Sequence, residues 1–398
     1  MPGKNGKKIS ANVYSLGVVS FLSDVSSEMI FPLLPLFITT VLGAGKELLG
    51  LIEGVADSVA SLVEIFSGYF SDVSGKRKQF VVAGYGLSSL MKAGIALSTA
   101  WPQVLLFRGL ERIGKGLRTA PRDAIIAAST GKEVRGKSFG LHRAMDTLGA
   151  VVGPLLAYFL LQFLGESAGV YREVFFAALI PAFLAVLVLA LFVREPAARA
   201  VAKSKAKIGF WLSLRQASAI PAYRKYLLIS ALFSLAYFSF AFFIVRAAEL
   251  GVKPEEVLLY YVFYNILYAA ASIPAGSLSD KIGRLPVIAG AFALYGIVCV
   301  GFAFASAPWH ALLLFGLYGI FVAADESVNK AFITDLFPGN RRGMALGAYN
   351  TAIGALYLPA SLLAGALYAG WGAAAAFGFA ALLAFASAIA LPLLVRSS

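Results

Sequence analysis

Charged side chains recur inside stretches of this sequence that are otherwise apolar, and their types and spacing set the chemistry on offer. In SFLSDVSSEMIF, Asp24 and Glu28 stand four residues apart, so a helix puts both on one face, with Ser20 and Ser27 close by. Carboxylates held away from bulk water can bind and release protons, which makes Asp24 and Glu28 the proton-coupling candidates. A structural pair neutralised by an arginine is the alternative. A second series, Arg108, Glu111, Arg112, Lys115, Arg118 and Arg122, recurs every three or four residues and falls within about 120° of arc at helical pitch. Guanidinium groups in such a cationic stripe can hold carboxylate or phosphate through paired hydrogen bonds. Arg108, Glu111 and Lys115 are therefore substrate-binding candidates, while Arg118 and Arg122 also fit plain charges at the end of a span. In AADESVNKAF, Asp325 and Asn329 share a face with Tyr318, and these three complete the candidate binding set. Glu326 precedes Lys330 by four residues, a spacing at which the two would neutralise each other and leave Asp325 open.

Other polar residues in apolar surroundings read as networks inside a bundle. These are Glu53, Asp57, Glu64 and Lys92, and the group His142, Arg143 and Asp146. Tyr260, Tyr261, Tyr264 and Tyr268 read mainly as packing, with one face able to stack on a ring.

The elements that must position these groups follow from composition. With 59% hydrophobic residues, 14% charged residues and a mean hydropathy of +0.79, most of the 398-residue chain has lipid as its solvent. Apolar runs predict twelve transmembrane helices, at 13–40, 47–70, 79–100, 103–127, 138–164, 173–193, 225–247, 256–278, 285–305, 309–333, 343–368 and 371–395. The fold class is all-α membrane protein. The start MPGKNGKKIS runs straight into a full span, so no cleavable signal peptide is expected. One cysteine, Cys299, excludes an internal disulfide, and two histidines, His142 and His310, are too few for a zinc site.

A net charge of +13 would suit a nucleic-acid partner, but its distribution points to membrane topology instead. Of 34 Lys and Arg residues, 22 fall in alternate connections starting at the N-terminus, against three in the opposite set, Lys46, Arg172 and Lys253. Both termini are expected in the cytoplasm, in a multi-pass arrangement in the cell inner membrane. The hydrophilic stretch 194–224 separates a first six-helix bundle (1–193) from a second (225–398) and reads as a cytoplasmic linker carrying a short amphipathic piece. The halves repeat each other. Gly68, Asp72 and Gly75 match Gly276, Asp280 and Gly283 at an offset of 208, and Arg135-Gly136 matches Arg342-Gly343 at 207.

With these motifs in view, the chain resembles the major facilitator superfamily over essentially its whole length, most closely its proton-coupled drug and metabolite antiporters. The loop after span two, with Gly68, Asp72, Gly75, Lys76, Arg77 and Lys78, is similar to that family's signature loop. Arg108, Glu111, Gly114 and Gly116 resemble its fourth-span motif. Gly140, Gly149, Gly153 and Pro154 resemble its antiporter motif, though Ala157 and Tyr158 stand where that motif has two glycines. The resemblance implies two pseudo-symmetric six-helix bundles, with spans one, four, seven and ten beside the substrate path. It implies gating roles for Gly68, Asp72, Gly75, Arg77, Asp280, Gly149, Gly153 and Pro154. Asp72 would act as a latch against a helix end or a cation, and the small face of span five would pack on its partner in the other half.

The expected function is secondary active transport by alternating access: proton-coupled efflux of an anionic, zwitterionic or amphiphilic compound. Expected partners are the small-molecule substrate, protons and the lipid bilayer, with no nucleic acid, no cofactor, no bound metal and a monomeric state. A divalent-metal or metal-chelate carrier using Asp24 and Glu28, and a non-transporting sensor, are the other readings. No phosphate-binding loop or nucleophile–base pair points to an enzyme.

Overall fold

The computed structural model describes residues 9–165, 169–196, 215, 217–337 and 342–395. Most of the linker expected over 194–224, including its amphipathic piece, lies outside the described residues, as does Arg396. Backbone polar groups in hydrocarbon must be satisfied within their own segment, which favours helices for every span. Twelve long helical segments follow one another and no strand occurs among the described residues: α1 Ala11–Val41, α2 Lys46–Ser74, α3 Arg77–Leu97, α4 Trp101–Ala128, α5 Arg135–Leu164, α6 Val170–Phe192, α7 Pro221–Glu249, α8 Pro254–Ile282, α9 Arg284–Phe304, α10 Pro308–Asp335, α11 Arg342–Gly354 with Tyr357–Trp371, and α12 Ala373–Leu394. Ten are apolar enough to cross a membrane by composition. The other two, α2 and α4, are 29 and 28 residues long, and both are rich in the charged residues singled out in the sequence. Every predicted span lies on one of these helices, with ends shifted by a few residues. Large apolar side chains such as Phe163, Ile273, Phe304 and Leu382 are exposed, as a lipid-facing surface requires.

The chain forms two compact units. Unit 1 comprises Met1–Gly43 and Val59–Lys203, and unit 2 comprises Ala44–Ser58 and Ser204–Ser398. The opening stretch of α2 therefore packs with unit 2 and its remainder with unit 1. In unit 1, α1 packs on α5 and α6, and α3 packs on α4 and α6. One apolar cluster there joins Val13, Leu16 and Val19 to Val81, Tyr85, Ile125 and Leu189. In unit 2, α9 packs on α10 and α12, α8 on α10, and α7 and α11 on α12. Residues 46–58 lie against α11, where Gly54 comes close to Leu358 and the Ser58 hydroxyl donates to the Gly354 carbonyl at 2.9 Å. That hydroxyl also accepts from the Leu358 amide at 2.9 Å, so it spans the interruption in α11.

Candidate functional site

Unit 1 concentrates ionised groups. On α4, Arg108 and Glu111 are both buried, and Arg108 Nη1 donates to Glu111 Oε2 at 3.1 Å across one helical turn. Arg112 Nε stands 3.7 Å from the same oxygen. Arg108 also lies over the Phe31 ring of α1, 5.7 Å from its centroid. Arg118 is buried too, donating to Ser88 Oγ at 2.9 Å and resting 4.3 Å from the centroid of Tyr85, both on α3. Ser88 in turn donates to the Glu111 carbonyl, so α3 and α4 are joined where their glycines, Gly84 and Gly114, let the backbones meet. Lys92 on α3 is 4% exposed and donates to Ser26 and Ser27 of α1 at 2.8 and 3.0 Å.

The predicted stripe on α4 thus divides. Arg108, Glu111 and Arg112 form one ion cluster, Arg118 braces α3, Arg122 pairs with Asp123 at 3.0 Å, and Lys115 is exposed. Arg118 is buried at 5% exposure. On α1, Asp24 and Glu28 are half-buried, and Asp24 lies within electrostatic reach of Glu28, Lys115, Arg118 and Asp146.

One packing expectation is corrected. The small face of α5 was expected against the other half, yet Gly149 and Gly153 meet α1 of their own unit. A Cβ at Gly149 would fall 2.7 Å from the Phe21 carbonyl oxygen and 2.9 Å from Asp24 Cβ. One at Gly153 would fall 2.6 Å from the Val25 oxygen and 3.0 Å from Glu28 Cβ. Two glycines at i, i+4 let α1 and α5 cross at backbone contact, and the residues they receive are those that carry the two carboxylates. Pro154 is buried in the same helix.

At the loop motif, Asp72 Oδ1 takes hydrogen bonds from Arg77 Nε and Nη2 at 3.1 and 2.7 Å. Gly75 between them has φ +68, a region costly for residues with a Cβ. Gly68 sits against Ala120 of α4. Unit 2 repeats the arrangement. Asp280 pairs with Arg284, Gly283 has φ +95, and Arg284 Nε also reaches Asp335 Oδ2 at 3.1 Å.

In unit 2 the α10 candidates are tied by side-chain hydrogen bonds. Asn329 Nδ2 donates to Asp325 Oδ1 at 2.7 Å, and Tyr226 of α7 donates to Asn329 Oδ1 at 2.6 Å. Glu326 accepts from Tyr268 at 2.8 Å. Tyr318 is buried among rings of α7, α8 and α9, its centroid 4.9 Å from Phe240, 5.0 Å from Phe243 and 6.1 Å from Tyr295. The sequence did not single out Tyr226, Tyr85, Ser88 or Ser26. Tyr85, Ser88 and Lys92 recur at helical spacing on α3 and were open to detection, whereas Tyr226 sits at the polar start of α7, where nothing marks it. Among the described residues no group of three or more His, Cys, Asp or Glu is arranged to hold a metal ion.

Comparison with known proteins yields one family. The profile of the Major Facilitator Superfamily matches residues 16–253 and 226–398. An uncharacterized MFS-type transporter of Methanocaldococcus jannaschii is 42% identical over 372 residues, covering 92% of this chain and 90% of that protein. The cis,cis-muconate transport protein of Acinetobacter baylyi is 27% identical over 310 residues, 75% of this chain and 73% of that one. Among solved structures, that of a nucleoside transporter superposes with a TM-score of 0.81 at 13% identity, covering 96% of this chain and all of that one.

Proposed function

This chain belongs to the Major Facilitator Superfamily and is a multi-pass membrane transporter, not an enzyme, and from that premise we propose that it exports an anionic, zwitterionic or amphiphilic compound in exchange for protons. The observation that carries this reading is the ion cluster of unit 1. Arg108 and Arg112 both approach Glu111, while Lys92, Lys115 and Arg118 add positive charge around Asp24 and Glu28. Charge at membrane depth costs at least about 2.5–3.5 kcal/mol per group, so an excess of cations there persists where function needs it. Guanidinium groups in such a cluster suit carboxylate or phosphate. The relative named for cis,cis-muconate, a dicarboxylate, supports the same chemistry.

In this reading Arg108, Glu111 and Lys115 are the substrate-binding residues of unit 1, and Tyr318, Asp325 and Asn329 are those of unit 2. Asp24 and Glu28 carry the proton. The Asp72–Arg77 and Asp280–Arg284 pairs, with Gly68 and Gly75, act in gating, and the α1–α5 crossing at Gly149, Gly153 and Pro154 sets how Asp24 and Glu28 are presented. The protein works as a monomer in the cytoplasmic membrane with both termini inside.

Purified protein in proteoliposomes tests the proposal. A pH gradient, acidic on the side opposite the loaded anion, is expected to drive anion release, and Asp24→Asn is expected to keep anion exchange while removing the response to pH. Indifference of the wild type to the gradient, or an unchanged response in Asp24→Asn, overturns it.

A further inference from the structure

On α5, His142 and Asp146 stand one turn apart, with His142 Nδ1 3.5 Å from Asp146 Oδ2. The His142 side chain is 5% exposed, and among the described residues neither its Nε2 nor Asp146 Oδ1 has a hydrogen-bond partner. Leaving such atoms unpaired costs about 1–3 kcal/mol each, so an arrangement of this kind suggests that they are held ready for something that binds. The carboxylate facing Nδ1 fixes the tautomer with hydrogen on Nδ1, which leaves Nε2 as a bare, basic nitrogen. A proton arriving there converts imidazole to imidazolium, and Asp146 is already placed to balance the new charge.

We propose that His142 Nε2 is a proton-binding site of this transporter, distinct from Asp24, with Asp146 as its positioning residue. The surroundings allow a proton there to be felt elsewhere. Arg122 and Asp123 face the pair from α4, with Lys115 and Arg118 further along that helix, Asp24 faces it from α1 with Glu28 one turn on, Tyr85 approaches Arg122 from α3, and Arg143 is its neighbour on α5. Asp146 lies one turn before Gly149, where an added Cβ would fall 2.9 Å from Asp24 Cβ. Protonation of His142 thereby changes the charge next to the carboxylate assigned to coupling. This last link rests on the proposed function, while the site itself does not.

The sequence has only two histidines, His142 and His310, so nitrogen NMR of histidine-labelled protein resolves the site, with His142→Gln assigning the signals by difference. The expected result is a His142 signal that passes from neutral imidazole, protonated at Nδ1, to imidazolium as the pH is lowered from about 7 to about 3. In Asp146→Asn the imidazolium fraction at a given acidic pH is expected to fall by about ten-fold. A His142 signal that stays neutral throughout, or an imidazolium fraction unaffected by Asp146→Asn, overturns the proposal. Asp24→Asn separates the two claims. If its transport keeps the wild-type pH response, the coupling role of Asp24 fails, while titration of His142 in that same variant still stands or falls by its own signal.

Discussion

The two units carry the same scaffold and different chemistry. Both have a glycine with positive φ after the second helix of the half, at Gly75 and Gly283, and both have an aspartate–arginine pair around it. Both interrupt their first helix at matching places, after Ile30 in α1 and after Ala236 in α7. Their interiors part company on the fourth helix. At the repeat offset of 208, Arg108 corresponds to Gly316 and Glu111 to Gly319. Where unit 1 holds an ion pair, unit 2 brings backbones together, since a Cβ at Gly319 would fall 2.6 Å from the Tyr264 oxygen. Unit 2 is filled by rings, such as Phe233 and Phe292 stacked with centroids 3.8 Å apart, and on its fourth helix Asn329 links Asp325 to the Tyr226 hydroxyl. The parts that turn and pair the helices recur in both halves, while the Arg108–Glu111 ion pair has glycines at the matching positions of unit 2. An ionic interior fails as a unit when one member is lost, whereas a ring-packed interior loses stability in smaller steps.

The largest break in that comparison is expected at Glu111→Ala. The substitution takes away a carboxylate that both Arg108 and Arg112 approach, and breaking a buried ion pair from one side costs about 3–5 kcal/mol. Unfolding of the purified protein measures it, and the double variant Arg108→Met with Glu111→Ala should recover part of the loss. A cost for Glu111→Ala below about 1 kcal/mol would mean that water already reaches the cluster, and unit 1 would lose its ionic core. Next come Gly149→Ala and Gly319→Ala. Each new methyl meets backbone oxygen at 2.7 or 2.6 Å, and overpacking of this kind costs about 1–3 kcal/mol. Similar values for both would show the two units equally rigid at helix crossings, whatever their chemistry. A mild effect for one alone would locate the half that yields.

Legibility in the sequence followed the same divide. Twelve spans and the repeat could be read because hydrophobic length and glycine–aspartate spacing are local patterns. The charges of α4 stood out because ionised residues are rare in apolar helices. What each charge touches depends on neighbours far away in the chain. Ser88 turns Arg118 into a brace, and Ser26 with Ser27 receive Lys92, and none of these serines differs in sequence from one that merely faces a neighbouring helix. The glycines of α5 signalled a close crossing but not the partner, which is why the crossing with α1 was assigned to the other half. Tyr226 stayed hidden because a tyrosine beside Arg224 and Lys225 reads as the edge of a loop.

Tyr226→Phe sharpens the contrast at a smaller scale. It removes one hydroxyl donor to Asn329 and keeps the ring that packs on Phe332, with centroids 4.7 Å apart. The expected cost is about 1 kcal/mol, several-fold below that of Glu111→Ala, because a neutral hydrogen bond is lost and no charge is stranded. A cost as large as that of Glu111→Ala would make the Tyr226–Asn329–Asp325 network as cooperative as the ion cluster and would erase the distinction drawn between the units.

The smallest effect on stability is expected at Asp72→Asn and Asp280→Asn, where the halves are most alike. These side chains are 59% and 65% exposed, and exposed ion pairs contribute about 0–1 kcal/mol. Arg284 keeps Asp335 when Asp280 is neutralised, whereas no second acidic partner is seen for Arg77 among the described ion pairs, so the Asp72 variant should be the more affected. Transport should respond differently from stability. If the pairs serve gating, Asp72→Asn lowers the rate of counterflow while leaving the melting temperature nearly unchanged. A parallel fall in both would assign the pair to holding α2 and α3 together. An unchanged rate would remove it from the cycle, leaving the positive-φ glycine as the feature both halves kept for the turn alone.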